Sequence, residues 1–266
     1  GALKHAAKLL HSQKVFTSRD LPYRTQLVPL AAILCVLGGK AENEGVRQKL
    51  MRWLWCGVLG ELYGSATESR FAKDLTEVVA WVEGGPEPST VSEALFRRGR
   101  LYTLRTRNST AYKGLYALLM RDGCEDFRTG DTIERATYFD ESIDIHHLFP
   151  QKWCLDNDIK PSRFNSIINK TPLSARTNRM IGGNAPGDYL ERVQKSAEIE
   201  SGRMDEIIQT HAAAPDLLRA NDFEAFYAAR EQALLDRIEK AMGKPVLGRD
   251  DAVVQEDGVD DDETEA

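Results

Sequence analysis

Two of the five histidines in the chain stand side by side in SIDIHHLFPQKW, residues 142–153. Histidine loses its proton near neutral pH, so it suits proton transfer at a reacting group, and its neutral ring is a common metal ligand. His146 and His147 close a short β-like run just ahead of Pro150. Successive residues on a regular strand point to opposite faces, so one regular strand does not aim both imidazoles at the same atom. The pair makes sense if the strand ends there. His146 then projects from the strand while the turn toward Pro150 carries His147 back beside it. Two asparagines follow, Asn169 and Asn178, nine residues apart.

The elements that must position these side chains read as strand, loop, strand and helix. SIDIHH (142–147) and FNSIINKTPLS (164–174) carry β-branched residues in near alternation, joined by a polar, proline-bearing connection. A short helix over 174–181 stops at Gly182-Gly183. Both flanks are helical. Before residue 135, Leu50, Trp53, Leu54, Val58, Leu59 and Leu62 follow the i, i+3/i+4 pattern over 45–64. Phe71, Leu75, Val78, Val79 and Val82 do the same over 66–85. Further helices are expected at 20–38, 89–98 and 110–121. After residue 185, three amphipathic stretches follow, the last being FEAFYAAREQALLDRIEKAM, ended by Gly243-Lys244-Pro245. The expected class is mainly α with a small embedded ββα element. It divides into a helical domain (1–135), the ββα element (136–200), C-terminal helices packing on the first domain (201–246) and an acidic tail (247–266).

Composition narrows the function classes. The formal charge is −6, but residues 250–266 carry nine acidic side chains and no basic one; without those nine, the −6 becomes +3. The acidic block reads as a disordered tail, and the mildly basic remainder permits nucleic-acid binding. The four cysteines are scattered without a C-x-x-C pair, which removes the support for a four-cysteine zinc site or a disulfide framework. The most apolar run, LVPLAAILCVLGG (27–39), is short for a membrane span and reads as a buried helix. The N-terminus lacks the pattern of a signal peptide, which with reduced cysteines fits a cytoplasmic location. No G-x-x-x-x-G-K-[ST] loop is present, so no nucleotide-hydrolysing site is placed in this chain.

The run HHLFPQ followed by NKTPLSARTN resembles the HNH, or ββα-metal, endonuclease motif. LPYRTQLVPLAAIL, RWLWCGVLGELYGSATESRFAKDL and IGGNAPGDYL resemble the C-terminal region of GmrSD-type restriction endonucleases, a broad group that includes the DNA-nicking SspE effectors of phage defence. The likeness spans roughly residues 15–200. It implies a metal-dependent endonuclease that nicks or cleaves DNA of phage or plasmid, as the effector module of a modification-linked antiviral restriction system. Carried over by position, His147 matches the general base and His146 a metal ligand. Asn178 matches the helix-borne ligand, and Asn169 the middle asparagine that braces the loop. The implied cofactor is a divalent metal, Mg2+ first and Mn2+ second. The His at 146, where an Asp is frequent, shifts the expected preference toward Mn2+, Ni2+ or Zn2+.

Several assignments stay open at this level. Asn184 is the alternative ligand if the register is shifted; beside Gly183 and Pro186 it otherwise serves a turn. Lys170, Arg176 and Arg179 are candidate DNA contacts. FRRGRLYTLRTRNSTAYKG (96–114) carries six basic residues, and its Phe96, Tyr102 and Tyr112 are either base-stacking groups or part of an exposed loop. His5, His11 and His211 read as solvated. The rival functions are an RNase, a catalytically silent DNA-binding or regulatory module, and a helical interaction domain. The resemblance further implies an upstream nucleotide-using, modification-sensing domain as a partner.

Overall fold

Apolar residues recurring every third or fourth position specify the first half of the computed structural model, which describes residues 1–64 and 67–251. The helices are α1 (Ala2–Ser12), α2 (Leu27–Leu37), α3 (Glu44–Leu59), α4 (Thr67–Val82), α5 (Ser89–Glu93), α6 (Arg100–Thr103), α7 (Thr110–Arg121) and α8 (Arg135–Asp140). Strand β1 (Asp144–His147) follows, then α9 (Gln151–Asp156), α10 (Pro161–Phe164), β2 (Lys170–Leu173) and α11 (Ala175–Ile181). The chain then continues through α12 (Pro186–Ala197), α13 (Ser201–Thr210), α14 (Pro215–Arg219) and α15 (Phe223–Met242). The protein is therefore mainly helical with one small antiparallel pair of strands, β1 against β2.

Helix α3 buries Leu50, Trp53, Leu54, Trp55 and Val58 between α7 and α15. Gly114 on α7 permits the approach, because a Cβ there would lie 2.7 Å from Val58 Cγ1. Helix α15 starts at Asp222, whose carboxylate accepts from Ala225 N at 3.0 Å, and ends at Gly243 in the left-handed region (φ 62°). Its inner face packs on α3 and on the 3-10 turn Ile167–Asn169 that leads into β2. One apolar core runs from Ala6 to Val246 and takes in Leu148, Phe149 and Leu173, so residues from all three expected segments share it.

The structure corrects four sequence expectations. The second β-like run is shorter than 164–174. Ser166 Oγ accepts from Ile168 N and Ile167 N donates to Leu104 O, which curls 167–169 into a 3-10 turn and leaves only Lys170–Leu173 as strand. The connection between the strands holds two short helices. The helix expected over 89–98 stops at Glu93, because Ala94 turns to ψ 129° and Arg97 bridges to Leu247. Run 96–114 is exposed only in part, at Arg97, Gly99, Thr103 and 106–108, and its Phe96 and Tyr112 are not open to stack on bases. Phe96 and Tyr112 are buried, Arg98 pairs with Glu231, and Arg100 pairs with Glu61.

The tail expected from 247 is partly attached. Leu247 bonds to Phe96 O, Arg249 pairs with Asp236 and Glu239, and Asp251 O accepts from Arg98; the rest of that tail lies outside the described residues. Flanking 3-10 turns extend α2 to Arg24–Glu42, 19 residues of mean hydropathy 1.2, which meets the length and composition of a membrane span. Pro29, Leu30, Ile33, Leu34 and Leu37 of that stretch are buried in the core, against α1 and α4.

Candidate functional site

The site is assembled around the end of β1. Pairing sets His146 opposite Thr171 and His147 opposite Lys170, after which the chain leaves the sheet. The exit is held by backbone demand. Leu148 N donates to Asn169 O (2.8 Å), and Phe149 N donates to Asn169 Oδ1 (2.8 Å). The Asn169 Nδ2 group donates to Phe149 O (2.9 Å) and Phe164 O (3.0 Å). Tyr189, from the IGGNAPGDYL stretch, donates its hydroxyl to Leu148 O at 2.8 Å. Phe149 is wholly buried and packs its ring against Trp153, Phe223 and Phe226. Asn169 is fully buried and its amide is committed to this loop, so it positions other groups and does not itself reach a substrate.

On the opposite wall, α11 is fixed at its N-terminus. Ser174 caps it by accepting from Thr177 N at 3.1 Å. Asp126 Oδ2 accepts from Ser174 N (2.8 Å) and Oδ1 from Thr177 Oγ1 (2.7 Å). Burial raises a carboxyl's pKa, but these hydrogen bonds outweigh it and hold Asp126 below its ordinary value. One turn further on, Asn178 comes to the wall of the cleft. Its side-chain amide makes no hydrogen bond among the described residues, and Gly182 N bonds its backbone oxygen to close the helix.

The result is a polar cleft of about 150 Å³ lined by Ile145, His146, His147, Pro150, Gln151, Asn178, Ile181 and Gly182. His146, His147 and Asn178 are thus brought together. Asn184 is not among them; its Nδ2 donates to Ile181 O at 3.1 Å and helps end α11. Lys170 faces inward. Its ammonium donates to Arg105 O (2.8 Å) and lies 5.7 Å from the Tyr112 ring, with burial pushing it down to about 8. Arg176 and Arg179 are exposed on α11.

Electrostatics keep both imidazoles neutral. Burial, then His147 and Arg107, push His146 down to about 4. Burial and then Lys170 push His147 down to about 4, against a hydrogen bond to Asn165 that raises it. This departs from the near-neutral value expected of an unperturbed histidine. His146 Nε2 is closed off from solvent and has no partner. A buried nitrogen left unbonded costs about 1–3 kcal/mol, so this ring is incomplete as it stands. Among the described residues, no group of three or more His, Cys, Asp or Glu gathers in the way a closed metal cage requires. An imidazole and an amide oxygen are two ligands that would leave a divalent cation several positions for water or phosphate oxygens.

Two contacts escaped sequence reasoning. Asn165 Oδ1 lies 3.1 Å from His147 Nε2, and the ring edge of His147 meets Phe164 with centroids 6.1 Å apart. Position 165 fell within an expected strand, where its alignment with His147 had no signal. His211, read as solvated, is fully buried: Thr171 Oγ1 donates to its Nδ1 (2.7 Å), and its Nε2 donates to Glu125 O (2.6 Å). His5 is half-buried and pairs with Glu42.

Comparison with known proteins gives one relative and no class. An uncharacterized protein of Methanocaldococcus jannaschii is 27% identical over 216 residues, covering 71% of this chain. The matched region spans 36% of that protein, about a third of its length. No family model matches the chain, and no solved structure matches it.

Proposed function

We propose that this cleft hydrolyses phosphodiester bonds of DNA in the manner of an HNH endonuclease, with β1, β2 and α11 forming a ββα-metal element. The observation that carries the reading is the meeting of His146, His147 and the unengaged Asn178 amide in one polar cleft. His147 takes the proton of a water attacking the phosphorus, and the P–O bond opposite that water breaks. His146 and Asn178 would hold a divalent metal, Mg2+ or Mn2+, which would supply charge neutralisation at the reacting phosphate. Asn169 keeps the loop of His147 in register, and Arg176 and Arg179 lie where neighbouring phosphates pass.

The biological role follows from the sequence likeness alone: a DNA-nicking effector of an antiviral restriction system. It acts in the cytoplasm alongside a nucleotide-using sensor domain. The test is conversion of supercoiled plasmid to open circles with Mg2+ or Mn2+. Nicks should precede linear product, EDTA should stop the reaction, and an RNA substrate should run in parallel. Equal cleavage in EDTA rules out the metal role, and preference for RNA reassigns the substrate.

A further inference from the structure

We propose that Asn165 is a positioning residue that fixes His147 in the Nε2–H tautomer, leaving Nδ1 as the nitrogen able to accept a proton. The proposal rests on the reading of His147 as the base. A neutral imidazole carries one N–H and one lone pair, and the hydrogen bond at one nitrogen decides which is which. Asn165 Oδ1 lies 3.1 Å from Nε2, and since an amide oxygen only accepts, this contact is a hydrogen bond when the proton is on Nε2. Were the asparagine turned to present its NH2 group, Nε2 would become the acceptor and Nδ1 would carry the hydrogen. The ring would then have no lone pair on its cleft side. Asn165 does not line the cleft, whereas His147 does, so the nitrogen left for a substrate water is Nδ1.

Asn165 is built into place. Its N–H bonds to Pro161 O at 3.0 Å, and the preceding carbonyl, Phe164 O, accepts from Asn169 Nδ2 at 3.0 Å. The following residue, Ser166, is anchored by its hydroxyl on Leu101 O (2.9 Å), and Ile167 N is anchored on Leu104 O (2.8 Å). The Phe164 ring meets the imidazole edge at 70° and limits its rotation. Lys170, the cross-strand neighbour of His147, is an ammonium with donors only, and it bonds to Arg105 O. An ammonium is no acceptor, so it does not replace Asn165 as the partner of Nε2–H. Asn169 therefore acts on the base at second hand, by holding the carbonyl next to the residue that orients it.

The experiment compares Asn165→Ala with Asn165→Asp, since aspartate keeps an acceptor at the same reach. Asn165→Ala should lower kcat for plasmid nicking on the order of tenfold to a hundredfold, the scale for losing an orienting partner, with KM and the metal requirement unchanged. Asn165→Asp should return most of that rate. In parallel, the ring nitrogens of isotopically labelled His147 are read by NMR in mildly alkaline buffer with EDTA. Wild type should give one tautomer and Asn165→Ala a mixture. A wild-type rate for Asn165→Ala overturns the proposal, as does an Asn165→Asp protein as slow as the alanine variant. If the wild-type protein cleaves no nucleic acid, the nuclease reading fails separately. The NMR signal still decides Asn165: mixed tautomers in wild type refute it, and one tautomer lost in Asn165→Ala upholds it.

Discussion

Asp74 on α4 and His146 on β1 are both polar side chains set into apolar surroundings, yet their neighbourhoods differ in one respect. Asp74 is fully buried and accepts from Trp53 Nε1 (3.0 Å), Thr90 Oγ1 (2.6 Å) and the Tyr63 hydroxyl (2.6 Å). Burial still lifts its pKa above the usual carboxyl value, with those three bonds pulling the other way. Every donor facing it is used. Around His146, one buried ring nitrogen and the Asn178 amide are left without partners, and both residues line the cleft. A satisfied polar cluster has nothing to offer a ligand and serves the fold. An unsatisfied one sacrifices stability for binding capacity.

The sharpest way to break this contrast is Asp74→Ala. It strands three buried donors at about 1–3 kcal/mol each, so a stability loss of at least about 3 kcal/mol is expected in urea denaturation. A loss below about 1 kcal/mol would remove Asp74 from its structural role.

Next in size is the acid sensitivity of His211, which like Asp74 is satisfied on both sides. Burial pushes it down to about 4, aided by Arg230 and Arg237 and opposed by its bond to Glu125 O and by Asp126. Its folded pKa lies below the unfolded one, so the unfolded chain binds the extra proton. Stability is full above about pH 6.5 and falls by about 3 kcal/mol toward pH 4. Denaturation across that window should show a shallower pH slope for His211→Gln than for wild type. Equal slopes would exclude the buried neutral ring.

On the unsatisfied side, His147→Ala should cost about 10²-fold in kcat for nicking, near 2.7 kcal/mol of barrier, with KM unchanged. A wild-type rate would move the base elsewhere. The smallest effect is expected for Asn178→Ala: a metal requirement raised about tenfold and stability within about 0.5 kcal/mol of wild type. Metal titration of nicking checks the first and urea midpoints the second. If Asn184→Ala shows the metal defect instead, the helix register of the site is wrong.

Much of this architecture was legible in the sequence, for reasons that differ by element. Helices α7, expected over 110–121, and α15, expected over FEAFYAAREQALLDRIEKAM, match the observed limits, whereas α3, expected over 45–64, stops at Leu59. The strand at His146-His147 was visible because alternation and Pro150 mark its end. The run around Phe164 to Asn169 was not. Its β-branched residues suggested strand, while bonds to Leu101 and Leu104, more than sixty residues away, bent it into helical turns. The same distance hides Asn165, whose alignment with His147 exists only once those bonds form. His211 was misread because a lone histidine near a helix end gives no hint that Thr171 and Glu125 will enclose it.

Arg230 on α15 donates to Lys170 O at 2.9 Å, and Phe223 and Phe226 of that helix pack on Phe149 at the exit of β1. The strands that carry the cleft are thereby braced by a segment synthesised after every residue that lines it. On the ribosome, a chain that has made both histidines and Asn178 still lacks the helix that steadies their strands. Folding of this region is a late, non-local event, and the geometry of the cleft is withheld from the nascent chain until α15 has emerged.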